Sequence, residues 1–145
     1  MTLRAEKPDL VTVPQGYYLA HCISGDYALG AGIARRFDEI YNMRYKLHGF
    51  FPTEVPEHPY QDPGAYLVDN VFNLVTKQRH FHKPTYDSLK TALLDMRRQM
   101  EEFAITKLAM PRIGCGLDKL EWPKVRTLIE EVFGDMDVEI LICSL

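Results

Sequence analysis

A layered α/β sandwich with largely parallel strand pairing is the fold class this sequence predicts. Two patterns carry that expectation. Over the second half of the chain, short apolar and β-branched runs alternate with segments whose apolar residues recur every three or four positions. Such alternation implies crossover helices packed on a parallel sheet. Size and balance agree: 145 residues, 46% hydrophobic and 26% charged, suit a globular domain burying roughly 70% of its unfolded surface without disulfide or metal staples. Residues 1–145 are therefore read as one domain.

Residues 17–23 (YYLAHCI) form an apolar run expected to be a buried strand, and Ser24-Gly25-Asp26 turns the chain after it. Residues 32–41 place Ile33, Phe37, Ile40 and Tyr41 at helical spacing, with Arg35, Arg36, Asp38 and Glu39 on the other side. Residues 49–64 carry prolines at 52, 56, 59 and 63 and read as a surface excursion. Residues 65–68 and 71–76 are two more expected strands. The clearest helix is 85–103, where Tyr86, Leu89, Leu93, Met96, Met100 and Phe103 step along one face. Thr85 suits its N-cap and Asp87 its first turn. Residues 107–110 read as a strand stopped by Pro111. Pro123 fits a first helical turn, and Val125, Leu128, Ile129, Val132 and Phe133 supply the buried face of a helix closed by Gly134. Residues 138–145 are the terminal strand.

Seventeen Lys and Arg against twenty Asp and Glu give a net charge of −3, which argues against a protein that coats nucleic acid but permits a local basic pocket. The three cysteines, Cys22, Cys115 and Cys143, are odd in number and lack CxxC spacing, so a reducing compartment is expected. Apolar runs reach only about four residues, against the ~20 of a membrane span. The N-terminus shows no signal-peptide core. A cytoplasmic protein is expected.

In α/β sheets, ligands bind beyond the carboxyl ends of strands, and two glycine-containing loops lie there. The first, 24–33 (SGDYALGAGI), leads from a strand into a helix; its small residues suit backbone amides that approach a phosphate, or simply a tight turn. It is neither a Walker A loop nor GxGxxG. The second, 111–118 (PRIGCGLD), again joins strand to helix. Together they favour a ligand with a diphosphate. Asp118 suits a helix cap, or a carboxylate that orients or deprotonates water.

Lys77 ends a strand and opens the basic stretch 77–83 (KQRHFHK). It is either a solvated strand-end lysine or a nucleophile. The second role needs the neutral amine, which burial and neighbouring cations favour and bound phosphates oppose. His80 and His82 lack further ligands at zinc spacing. Cys115 reads as a small loop residue rather than a thiol nucleophile, and Trp122 as packing for the base of its loop.

The segments 19–37 (LAHCISGDYALGAGIARRF), 76–86 (TKQRHFHKPTY) and above all 110–122 (MPRIGCGLDKLEW) resemble a macrodomain of the terminal ADP-ribose protein glycohydrolase type, also described as O-acetyl-ADP-ribose deacetylase. The resemblance spans nearly the whole chain. It implies a three-layer α/β/α sandwich with a mixed, largely parallel sheet. It also implies an ADP-ribosyl hydrolase removing mono-ADP-ribose from Glu or Asp side chains, with O-acetyl-ADP-ribose as a second substrate. By the same resemblance, Asp9 hydrogen-bonds the adenine amino group, while Leu10 and Leu145 flank the adenine. Ser24, Gly30, Ala31, Gly32 and Ile33 sit near the distal ribose and diphosphate. Arg112, Ile113, Gly114, Cys115, Gly116 and Leu117 cradle the diphosphate from the other side. Lys77 matches the family's catalytic lysine and Asp118 its acidic partner. No metal or other cofactor is implied, no membrane partner, and a monomer is expected. Two alternatives stand: an ADP-ribose reader that does not cut, and a hydrolase for ADP-ribose 1″-phosphate or for nucleic acid carrying ADP-ribose. The family usually has glycine where this chain has Pro8, and residues 43–64 do not align with it.

Overall fold

The computed structural model describes residues 1–6, 10, 13, 15–53 and 59–143. It opens with β1 (Thr2–Glu6), a short strand absent from the sequence reading. β2 (Tyr18–Ser24), α1 (Gly32–Tyr41), α2 (Met43–Phe50), β3 (Gly64–Val68), β4 (Val71–Lys77), α3 (Tyr86–Glu102), β5 (Lys107–Met110), α4 (Trp122–Phe133) and β6 (Glu139–Cys143) follow. The five expected strands and three expected helices all form. α2 is a correction, because it forms at the start of the 43–64 stretch, to which the sequence reading assigns no element. Only Met43 and Leu47 of α2 are fully buried, a single i,i+4 pair too sparse to announce a helix by periodicity.

The strands lie in the order β1-β6-β5-β2-β4-β3. Every neighbouring pair is parallel except β3 with β4. That one antiparallel pair follows from chain length: Asp69 and Asn70 alone connect the two strands, and a parallel return needs about a dozen residues. Asp69 takes a left-handed backbone, φ 54°, to make the turn.

Period-two alternation sorts the strands' side chains into two apolar layers. Ala20, Phe72, Leu74, Leu108, Met110, Ile140 and Ile142 point to one face, where they meet Leu89, Leu93 and Met96 of α3 with Val125 and Ile129 of α4. Leu19, Ile23, Val71, Val75, Ala109 and Leu141 point to the other, against Phe37 of α1 with Met43 and Leu47 of α2. The result is the expected α/β/α sandwich.

α3 starts at a capping box. The Thr85 hydroxyl accepts from the Ser88 amide, and the Ser88 hydroxyl accepts from the Thr85 amide, both at 3.0 Å. Ser88 also donates to the Thr76 carbonyl at 2.6 Å, fastening the helix start to β4 one residue before Lys77. None of the described helices is long and apolar enough to cross a membrane.

Candidate active site

Three adjacent strands, β5, β2 and β4, end side by side, and the loops that leave them enclose a cleft of about 680 Å³. Ser24 of β2 pairs with Lys77 of β4 across a register irregularity. The next amide, Gly25, donates to the Lys77 carbonyl at 2.8 Å. Gly25 must be glycine: a Cβ there would lie 2.2 Å from the Gln61 carbonyl oxygen. Its own carbonyl accepts from the Gln61 amide at 2.9 Å. The backbone is thus stitched tightly around the end of β4.

Beyond Gly25 the first loop kinks twice through left-handed conformations at non-glycine residues, Tyr27 (φ 56°) and Leu29 (φ 42°). Such backbone persists only where surrounding structure enforces it. Tyr27 is fully buried and its hydroxyl donates to the Phe51 carbonyl at 2.8 Å. α1 then begins with Ala31 as an N-cap that offers no side-chain acceptor, and its first turn carries no acidic residue. Its leading amides, at Gly32, Ile33 and Ala34, belong to the cleft wall, which leaves them free for an anion.

The second loop faces the first. Arg112, Ile113, Gly114, Gly116, Leu117 and Asp118 line the opposite wall. Gly114 is left-handed at φ 72°, and Leu120 packs 2.8 Å from where a Cβ would stand. The two walls meet at the rim, where Leu117 Cδ1 lies 3.5 Å from the corresponding point on Gly32. Lys83 donates from Nζ to the Leu117 carbonyl at 3.2 Å and holds that loop from the side. The Arg112 guanidinium lies 5.5 Å over the Trp122 ring, so Trp122 braces the base of this loop, as expected.

Between the walls, Lys77 Nζ donates to Asp118 Oδ1 at 2.6 Å. Both side chains are largely buried, with 15% and 16% of their surface exposed. Forty-one positions separate them in the chain, and only the adjacency of β4 to β2 and of β2 to β5 brings them together. The helix-cap reading of Asp118 is corrected here: Glu121 is the N-cap of α4. Lys77 is likewise no solvated strand-end lysine.

Ser24, Gly30, Ala31, Gly32 and Ile33 also line the cleft. The side chains of two other expected site residues pack into the core. Leu10 is fully buried in the apolar layer with Leu19 and Leu141. Cys115 turns its thiol back to the Ile113 carbonyl at 3.4 Å and packs against the core. Asp9 and Leu145 lie outside the described residues.

Sequence reasoning weighed His80 only as a metal ligand, Asp26 only as part of a turn and Lys83 only as a cation near Lys77, and gave Cys22 no site role. Burial pushes the Cys22 thiol up to about 12, with the Asp118 charge adding to it. Burial raises the Cys115 thiol too, against the opposing pull of Arg112. Neither sulfur is a thiolate at neutral pH. Asp26 Oδ1 accepts from the Ser24 hydroxyl at 2.6 Å and from the Ala28 amide at 3.2 Å. Its Oδ2 accepts from the His80 amide and imidazole Nδ1, both at 2.9 Å. Burial works against this carboxylate, but the hydrogen bonds from Ser24 and His80 outweigh it and hold the carboxyl below its usual range. The turn signal Ser24-Gly25-Asp26 was visible in sequence; its partner 54 positions away was not. Among the described residues no group of three or more His, Cys, Asp or Glu side chains is placed to hold a metal.

No family model matches the chain. It is 39% identical over 139 residues to the human protein named ADP-ribose glycohydrolase OARD1, covering 96% of this chain and 89% of that one. Among solved structures, the macrodomain of Thermus aquaticus DarG superposes with a TM-score of 0.82 at 21% identity over 99% of both chains. Thermosipho africanus DarTG in complex with ADP-ribose superposes with a TM-score of 0.77 at 18% identity, over 98% of this chain and 41% of that one.

Proposed function

This chain belongs to the macrodomain family, and on that premise we propose that it hydrolyses the ester joining the distal ribose of mono-ADP-ribose to a Glu or Asp side chain. The observation that carries the proposal is the 2.6 Å Lys77–Asp118 pair on the floor of the cleft. The volume supports a nucleotide-sized guest, since pockets of ~300–1,000 Å³ commonly take ligands of that class. The free amides at the start of α1 and the glycine-rich wall with Arg112 opposite are suited to gripping a diphosphate from two sides. The ADP-ribose bound in the solved structure of Thermosipho africanus DarTG agrees with that guest.

In the proposed reaction Lys77 gives a proton to Asp118, and its neutral Nζ attacks C1″ of the distal ribose. The C1″–O bond breaks and the Glu or Asp carboxylate leaves with the electron pair. Asp118 releases its proton to solvent and then takes one from water, whose oxygen attacks C1″. The C1″–N bond breaks with its pair returning to Nζ, and the proton on Asp118 restores the ammonium. The site needs no metal for these steps. An acetyl ester on the same ribose poses a similar demand, which makes O-acetyl-ADP-ribose a second proposed substrate.

A modified DNA strand is the second reading, favoured by the rim: Phe81 is exposed between His80 and His82, and Arg79 lies 5.5 Å over the Tyr60 ring. Exposed aromatics among cations suit unstacked bases. Mass spectrometry of ADP-ribose released from a Glu-linked protein and from a modified DNA strand decides between them. Faster release from protein supports the first reading and faster release from DNA the second. Binding of ADP-ribose with no release from either identifies a reader and overturns both.

A further inference from the structure

We propose that His80, oriented by Asp26, is the general acid that protonates the departing acceptor atom when that atom is a poor leaving group; the proposal rests on the hydrolase reading above. The Asp26 carboxylate fixes both ends of the residue, accepting from the His80 amide and from Nδ1 at 2.9 Å each. Because Nδ1 donates to a carboxylate, the exchangeable position is Nε2. No described residue hydrogen-bonds to it.

Position gives this nitrogen its role. His80 lies three residues beyond Lys77 and lines the same cleft, yet 64% of its side chain is exposed, against 15% for Lys77. Whatever is joined to the distal ribose must reach from Lys77 to solvent, and His80, an exposed part of the same cleft lining, is the proposed wall of that exit. A carboxylate departs without help. An alkoxide, a phenoxide or an amide nitrogen does not, and a positioned acid contributes typically about 10²–10⁴-fold to such a departure. In the step, Lys77 Nζ forms the bond to C1″ as the C1″–X bond breaks. The electron pair goes to X, and X takes the proton from Nε2. The imidazole left neutral is reprotonated from solvent once the acceptor has gone. Asp26 never meets substrate and is a positioning residue.

The test uses two aryl ADP-ribosides joined at C1″, one to 4-nitrophenol and one to plain phenol, with the full-length wild type, His80→Gln and Asp26→Asn. In His80→Gln, kcat for the phenyl compound should fall about a hundredfold or more, and for the nitrophenyl compound about tenfold or less. KM for the two should move together. Asp26→Asn should show the same dependence on the leaving group with smaller amplitude. Equal losses on both compounds, or no loss on either, would overturn the assignment. If the wild type releases ADP-ribose from a Glu-linked protein but cuts neither aryl compound, the His80 assignment falls and the hydrolase reading stands; if it binds ADP-ribose and releases it from none of the three, the hydrolase reading falls as well.

Discussion

Replacing His21 with glutamine should remove a specific part of the protein's acid sensitivity. His21 is fully buried on β2, its ring centre 4.3 Å from that of Phe37. Its Nε2 lies 2.6 Å from Asn73 Oδ1. The Asn73 amide nitrogen donates to the Tyr66 carbonyl at 3.1 Å and the Val71 carbonyl at 3.3 Å. Its oxygen therefore faces His21, and Nε2 carries the hydrogen. Nδ1 has no hydrogen-bond partner among the described residues, so a proton placed there would be a buried charge without an acceptor. Burial accordingly lowers the pKa from 6.5 to about 4, against the smaller opposing pull of Asn73. The unfolded chain binds the proton more readily, so the contribution is fully present above about pH 6.5 and is lost as the pH falls toward about 4. Each pKa unit is worth about 1.4 kcal/mol. Integrated from about pH 7.5 to about pH 5, the loss is about 2 kcal/mol, a sizeable part of a typical total of ~5–15 kcal/mol. Urea unfolding at both pH values reads it. The wild type should lose about 2 kcal/mol more than His21→Gln, a midpoint shift of about 1 M. Parallel losses in the two proteins would refute the reasoning.

Other parts of the account are open to simpler trials. Gly25→Ala forces a Cβ to within 2.2 Å of the Gln61 carbonyl oxygen and should destabilise by about 1–3 kcal/mol; an unchanged Tm would show that the loop yields freely. Thr85→Ala removes half of the α3 capping box and should cost about 1 kcal/mol in urea unfolding; no change would mean that Ser88 and Thr76 hold the helix start alone. With its pKa pushed up to about 12, Cys22 should take up iodoacetamide at least tenfold more slowly in the folded protein than in urea at about pH 8. Equal rates would contradict the raised pKa.

What was legible in the sequence follows the physics of periodicity. α3 shows itself because Leu89, Leu93, Met96 and Met100 are all fully buried on one stripe. β4 does so because residues 71–76 are buried without a break. α2 offered one buried pair, and β1 is an edge strand whose Thr2, Arg4 and Ala5 are exposed, so neither repeats a pattern long enough to stand out. The glycine loops were visible as loops, and the family resemblance attached Lys77 and Asp118 to them. Their contact was not visible, because it depends on strand order. Nor was the Asp26–His80 contact, which crosses from the β2 loop to the β4 loop. Leu10 was assigned to the adenine site by resemblance alone; its side chain is fully buried in the apolar layer, and its partners in that assignment, Asp9 and Leu145, lie outside the described residues.

The most direct measurement of the central claim compares ADP-ribose release from a Glu-linked protein by wild type, Lys77→Ala and Asp118→Asn, with calorimetric ADP-ribose affinity measured on the same samples. If the buried pair performs the chemistry, release falls at least about a thousandfold in Lys77→Ala, Asp118→Asn is severely slowed, and affinity stays within about tenfold in both. Full activity in Lys77→Ala, or a loss of activity matched by an equal loss of binding, would contradict it.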